Sequence, residues 1–118
     1  LNALTDALLG SVAAGDIGHY FPSEDPQWKG ASSAVFLAEA LAVVDSRYGD
    51  VVNADITIIA SRPRLSSHRQ AMVESIARLL RLTPAQVNVK ATPTDHLVFI
   101  GRGEGLCAMA VVMVEIRS

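Results

Sequence analysis

Lysine is almost missing from this 118-residue chain: Lys29 and Lys90 stand alone against eight arginines. Only 19% of residues are charged, and acids outnumber bases twelve to ten, so the formal charge is −2. A nucleic-acid surface built on bulk positive charge is therefore excluded. Cysteine occurs once, at Cys107. A lone thiol forms no internal disulfide and suits a reducing, cytoplasmic compartment; at the head of a strand it reads as a small core residue. No basic segment followed by an apolar run opens the chain, so no signal peptide is expected. The longest apolar stretch, Leu106 to Val114, is far short of the roughly 20 residues a bilayer span needs. Aromatics make up only 5%.

What is present is Ala, Val, Leu and Ile: half the residues are hydrophobic, too many for intrinsic disorder. The length suits a single domain, 1–118, with a real core. A surface this poor in charge points to an oligomer that hides part of it, the alternative being a small Ala-rich monomer.

Leu1, Leu4, Leu8 and Leu9 fall at helical spacing, predicting a helix over Leu1–Ala14 that ends at Gly15. The chain thus opens directly on a helix with no methionine, as a fragment or a processed chain would. Residues 16–32 hold two prolines and two glycines and are expected to form a loop. Ser32 or Ser33 caps a second helix, ending near Tyr48–Gly49, with Val35, Phe36, Ala40, Leu41 and Val44 on one side. The β-branched run of Asp50–Ala60 predicts a strand. Pro63 marks a turn, and a third helix runs from Ser66 or Ser67 to Leu82 with Met72, Ile76, Leu79 and Leu80 inward. Strands follow at Gln86–Thr92 and Leu106–Ile116, separated by a glycine-rich loop. The last strand has no polar face before Glu115, so both its faces are expected to be covered. Alternating helices and strands imply an α/β (α+β) chain, a sheet with helices layered on one side. Three strands leave edges that need a cover, from a further strand or another subunit. His19, His68 and His96 show no i, i+4 spacing and read as surface or loop residues rather than a zinc helix.

Three stretches are distinctive: Leu4-Thr5-Asp6-Ala7-Leu8-Leu9-Gly10 with Gly15-Asp16-Ile17-Gly18 and Phe21-Pro22; Asp55-Ile56-Thr57-Ile58-Ile59-Ala60 with Pro63-Arg64-Leu65; and Val87-Asn88-Val89-Lys90-Ala91-Thr92 with Phe99-Ile100-Gly101-Arg102-Gly103-Glu104-Gly105. In series they resemble the 2-C-methyl-D-erythritol 2,4-cyclodiphosphate synthases, and the resemblance spans essentially the whole chain.

The resemblance implies a ferredoxin-like sheet in a homotrimer, with sites between subunits. It also implies a lyase of non-mevalonate isoprenoid biosynthesis that cyclises 4-diphosphocytidyl-methylerythritol 2-phosphate and releases CMP. Asp16, Gly18, Phe21 and Pro22 would meet the methylerythritol end; Pro63, Arg64 and Leu65 would hold the cytidine nucleotide, Arg64 standing where lysine is usual. Thr92 and Thr94 would meet its phosphates. Asp95, in place of a glutamate, would ligate Mg or Mn, and Asp95 and Thr94 would be catalytic. Arg102 would face an anion or the trimer axis, with Glu104 beside it. The family's zinc uses an aspartate and a histidine on a strand upstream of Leu1, plus a histidine where this chain has Asn2, so no zinc ligand is retained. The chain is then expected to lack the family's amino-terminal segment. A non-catalytic trimeric homologue that keeps the cytidine cleft, or a ferredoxin-like ligand-binding module, are the alternatives. The partners implied are a second and third copy of the chain and a cytidine diphosphate, with no nucleic acid and no membrane.

Overall fold

The computed structural model describes residues 1–60, 67–93 and 106–118. Leu4, Leu8 and Leu9 are buried on one side of the first helix, α1 (Asn2–Ser11), and close the core from above. The helix stops three residues before its predicted end. Ser11 Oγ donates to the Leu8 carbonyl, and Ala13 enters the left-handed region at φ 56°. The chain therefore turns ahead of Gly15, itself at φ 90°.

The segment expected to be pure loop contains two short pieces of order. α2 (Ile17–Tyr20) is capped by Asp16, and a 3-10 turn, Pro26–Trp28, is capped by Asp25 with proline at its start. Proline costs nothing at a first helical position, and one side-chain carboxylate satisfies an otherwise open N–H. The breakers thus confine the helical turns to single turns without abolishing them.

α3 (Ser33–Ser46) follows. Tyr48, at φ 64°, turns the chain out of it, so Gly49 begins the next strand and does not merely end the helix. β1 (Gly49–Ala60), α4 (Arg69–Leu80), β2 (Val87–Pro93) and β3 (Leu106–Ile116) complete the chain. α4 ends two residues early because Arg81 adopts φ 60° and Leu82 N–H returns to the Ala77 carbonyl, the usual left-handed helix stop.

The sheet order is β2-β1-β3. β1 pairs in parallel with β2 (Ala54 opposite Val87, Ile59 opposite Thr92) and antiparallel with β3 (Asp50 opposite Glu115, Ile56 opposite Ala110), with an irregularity between Val51 and Asn53. α1 lies on β3, α3 on β1 and α4 on β2, so the three long helices cover one face, as expected. Ala54, Ile56, Ile58, Val87 and Val89 are buried beneath them in one cluster with Leu37, Ala40, Val44, Val73, Ile76 and Leu80.

Among the described residues nothing packs over the other face. Side chains alternate along a strand, and Met109, Val111 and Met113 are more than half exposed. Among the described residues of one chain, β3 is covered on one face only. The same parity puts the half-buried Cys107 on this open face and not in the core. Within α3, Leu37 is buried where Val35 was expected; Val35 is exposed. Among the described residues no helix is long and apolar enough to cross a membrane.

Candidate functional site

Among the described residues, those singled out by sequence fall on two separate parts of the molecule. The first is the turn after α1. Gly15 needs its positive φ, and a Cβ there would touch the His19 ring at 3.4 Å. Asp16 follows in extended conformation and accepts the His19 N–H at 2.8 Å. The ordinary turn-capping role open to this aspartate is thus realised, through Oδ1 alone.

A second carboxylate, overlooked in the sequence, grips the same turn: Asp6, on the exposed side of α1, accepts the Ile17 N–H at 2.8 Å. Its signal was present. Aspartate inside a helix is a weak helix former, so Asp6 within the Leu4–Gly10 motif called for a partner. Arg47, at the end of α3, adds a cation beside this turn by donating to the Val12 carbonyl at 3.0 Å.

Gly18 is exposed; a Cβ there would make only an ordinary 3.6 Å contact with Asp16. Together with Ile17, Phe21, Pro22, Trp28 and Phe36 it lines an open cleft of about 590 Å³. Phe21 is buried and fixed edge-on against Trp28, with ring centres 4.8 Å apart, and it lies 5.0 Å from Phe36. Such aromatic packing makes a rigid apolar wall, with Ser23, Glu24 and Lys29 supplying polar groups around it.

The second part lies at the carboxyl end of β2. Thr92 is half-buried and paired opposite Ile59. Alternation puts it on the open face of the sheet with Asn88 and Lys90. There Lys90 Nζ donates to Asp55 Oδ2 at 2.8 Å, and Asn88 donates to Asp55 Oδ1 at 3.0 Å. The Lys90 bond first, then that of Asn88, holds the Asp55 carboxyl below the usual carboxylate value. The cleft at Phe21 brings Gly18, Phe21 and Pro22 together; Asp16, on the same turn, lines the neighbouring hollow with His19 and Arg47 instead, and Thr92 on β2 lines neither. Pro63, Arg64, Leu65, Thr94, Asp95 and Arg102, with Glu104 and His96, lie outside the described residues.

For metals, Asn2 is exposed at the first position of α1. Among the described residues no group of three or more His, Cys, Asp or Glu comes together, and His19 and His68 sit exposed on different elements. A neutral amide oxygen is a poor ligand for zinc beside imidazole or carboxylate. The described residues do not fit a zinc site.

A sequence profile of the YgbB family matches residues 1–115. The bifunctional enzyme IspD/IspF of Caulobacter vibrioides is 52% identical over 98% of this chain, which spans only 30% of that enzyme's length. The structure of the bifunctional IspDF from Campylobacter jejuni superposes with a TM-score of 0.91 at 38% identity, covering 99% of this chain and 32% of that one. A CDP-bound structure of 2C-methyl-D-erythritol-2,4-cyclodiphosphate synthase superposes with a TM-score of 0.88 at 38% identity, over 97% of this chain and 73% of the synthase. Match, identity and superposition run through the turn at Asp16 and all three strands, and the chain belongs to the YgbB family of 2-C-methyl-D-erythritol 2,4-cyclodiphosphate synthases.

Proposed function

We propose that this chain holds its substrate as a cyclodiphosphate synthase does, and that the reaction is cyclisation of 4-diphosphocytidyl-methylerythritol 2-phosphate. An oxygen of the terminal phosphate forms a bond to the β-phosphorus, the bond from that phosphorus to the CMP oxygen breaks, and CMP departs with the electron pair. Little covalent help is needed, so the protein's part is orientation and neutralisation of charge. Asp16, Gly18, Phe21 and Pro22 hold the methylerythritol end against the aromatic wall. Pro63, Arg64 and Leu65 hold the cytidine nucleotide, Thr92 and Thr94 orient its phosphates, and Arg102 faces an anion or the oligomer axis. Asp95 would hold Mg²⁺ or Mn²⁺, which supplies neutralisation of phosphate charge when bound.

The separation of the Phe21 cleft from Thr92 supports a site completed between subunits. The apolar open face at Met109, Val111 and Met113 supports a homotrimer, with the sheet as its ferredoxin-like layer. The cytoplasm is the compartment such a pathway enzyme, a phosphorus-oxygen lyase, would occupy.

The likeness to a CDP-bound synthase over nearly the whole chain is the observation that carries this reading. Titration with CDP tests it. With Mg²⁺ present, Arg64→Ala removes a cation facing phosphate and Asp95→Ala removes the carboxylate that would hold the metal against it, each worth about 1.5–3 kcal/mol, so affinity falls roughly 10- to 100-fold. Unchanged affinity in both variants overturns the nucleotide roles. Asn2, at a zinc-ligand position of the family, favours a second reading: a homologue that binds cytidine nucleotides without turning them over. CDP binding without CMP release from substrate selects that reading.

A further inference from the structure

We propose that Asp6 is a positioning residue for the methylerythritol end of the substrate, acting through the Ile17 N–H on the turn that carries Asp16 and Gly18. The inference rests on the synthase reading above. α1 is locked to the core by Leu4, Leu8 and Leu9, all at most 2% exposed, so the Asp6 carboxylate projects from a fixed element. The turn it holds is intrinsically weak. α2 has four residues, and an isolated single helical turn does not persist in water. Its leading N–H groups have no intrahelical partner. Two of them are satisfied by carboxylates: Ile17 N–H by Asp6, eleven residues upstream, and His19 N–H by Asp16 itself.

The two bonds differ in consequence. The Asp16 bond shapes the turn locally, whereas the Asp6 bond ties the turn to α1 and so sets where Asp16 and Gly18 stand relative to the Phe21 wall. Asp16 uses Oδ1 inside the turn, and among the described residues nothing donates to Oδ2, which is placed to accept a hydroxyl of a polyol. Removing the Asp6 acceptor leaves an exposed N–H that water satisfies, so the cost falls on the placement of Asp16 rather than on folding.

The full chain with Asp6→Ala and with Asp6→Asn tests this by calorimetric titration with two probes, CDP and 4-diphosphocytidyl-methylerythritol 2-phosphate. Alanine removes the acceptor; asparagine keeps an oxygen able to accept the Ile17 N–H. The Asp6→Ala chain is expected to bind the full substrate about 3- to 10-fold more weakly, the worth of one hydrogen bond, with CDP changed less than about 2-fold. Asp6→Asn should restore substrate affinity to within about 2-fold of the parent, and hydrogen exchange at the Ile17 amide should quicken in Asp6→Ala alone. Equal weakening of both probes, or undiminished substrate affinity in Asp6→Ala, overturns the positioning role while leaving the synthase reading standing. Failure of the parent chain to bind CDP overturns that reading and this role with it.

Discussion

The two faces of the sheet are made from the same strands and could hardly differ more. On the covered face, Ala54, Ile56, Ile58, Val87 and Val89 are buried under three helices. On the open face the same strands set out Asn88, Lys90 and Asp55 in a hydrogen-bonded group, and β3 adds Met109, Val111 and Met113. The first face stabilises one chain; the second, uncovered among the described residues, contributes little to that stability. The difference follows from strand parity: one residue's step along β3 moves a side chain from core to surface.

The largest way to sharpen the contrast lies in the covered layer. Leu8 is fully buried between α1, α3 and the sheet. Leu8→Ala is expected to cost about 2–5 kcal/mol, the transfer loss plus a cavity, read as a lower urea midpoint with unchanged slope. Leu8→Met should cost less than about 1.5 kcal/mol because it keeps the volume.

Gly49 comes next. A Cβ there would stand 2.8 Å from the Val114 and Val44 methyls and 3.1 Å from the Val44 carbonyl. Branched side chains are stiff and cannot swing away, so Gly49→Ala should cost about 1–3 kcal/mol through overpacking. A neutral result would show that α3 can lift from β1 at no cost.

How much of this was legible in the sequence also divides by face. β1 and β2 announce themselves through Ile56-Thr57-Ile58-Ile59 and Val87-Asn88-Val89, and helical spacing finds Leu4, Leu8 and Leu9. The open face did not announce itself, because β3 is apolar from Leu106 to Val114 and its one charged residue, Glu115, stands only at its far end. Cys107 was misplaced for that reason. In the site, Asp16 and Phe21 could be read from their motif, and their neighbourhood in one turn follows from adjacency in sequence. Asp6 was legible only as an aspartate out of place. Its bond to Ile17 spans eleven residues and depends on left-handed turns at Ala13 and Gly15, which periodicity does not encode. The ends of α1 and α4 were overrun for a related reason: Ala13 and Arg81 take positive φ although neither is glycine.

On the open face the expected effects are smaller and depend on conditions. The Asp55 carboxyl is depressed in the folded chain by Lys90 and Asn88, so the unfolded chain binds its proton more tightly. The pair's contribution is therefore complete above the ordinary aspartate value of about 3.9 and lost as pH falls through the lowered folded value. Because both side chains are well exposed, it amounts to less than about 1 kcal/mol. Unfolding measured from pH 6 down to pH 2 should show parent and Asp55→Asn converging as acid is added. A gap that widens with acid would reverse the sign of the coupling.

Val111 gives the smallest effect and the most direct test of the comparison. It is 67% exposed at the centre of the apolar stripe on β3. In chains diluted below association, Val111→Ala should change stability by no more than about 0.5 kcal/mol, as substitutions on an uncovered surface do. At high concentration the same methyls are buried if copies of the chain meet there, and burial stabilises by mass action. Parent and variant should then separate in melting temperature as concentration rises, the parent gaining more. A loss as large as that of Leu8→Ala at every dilution would mean that this face, like the other, is covered within one chain. No separation at any concentration would remove this face from any contact between copies.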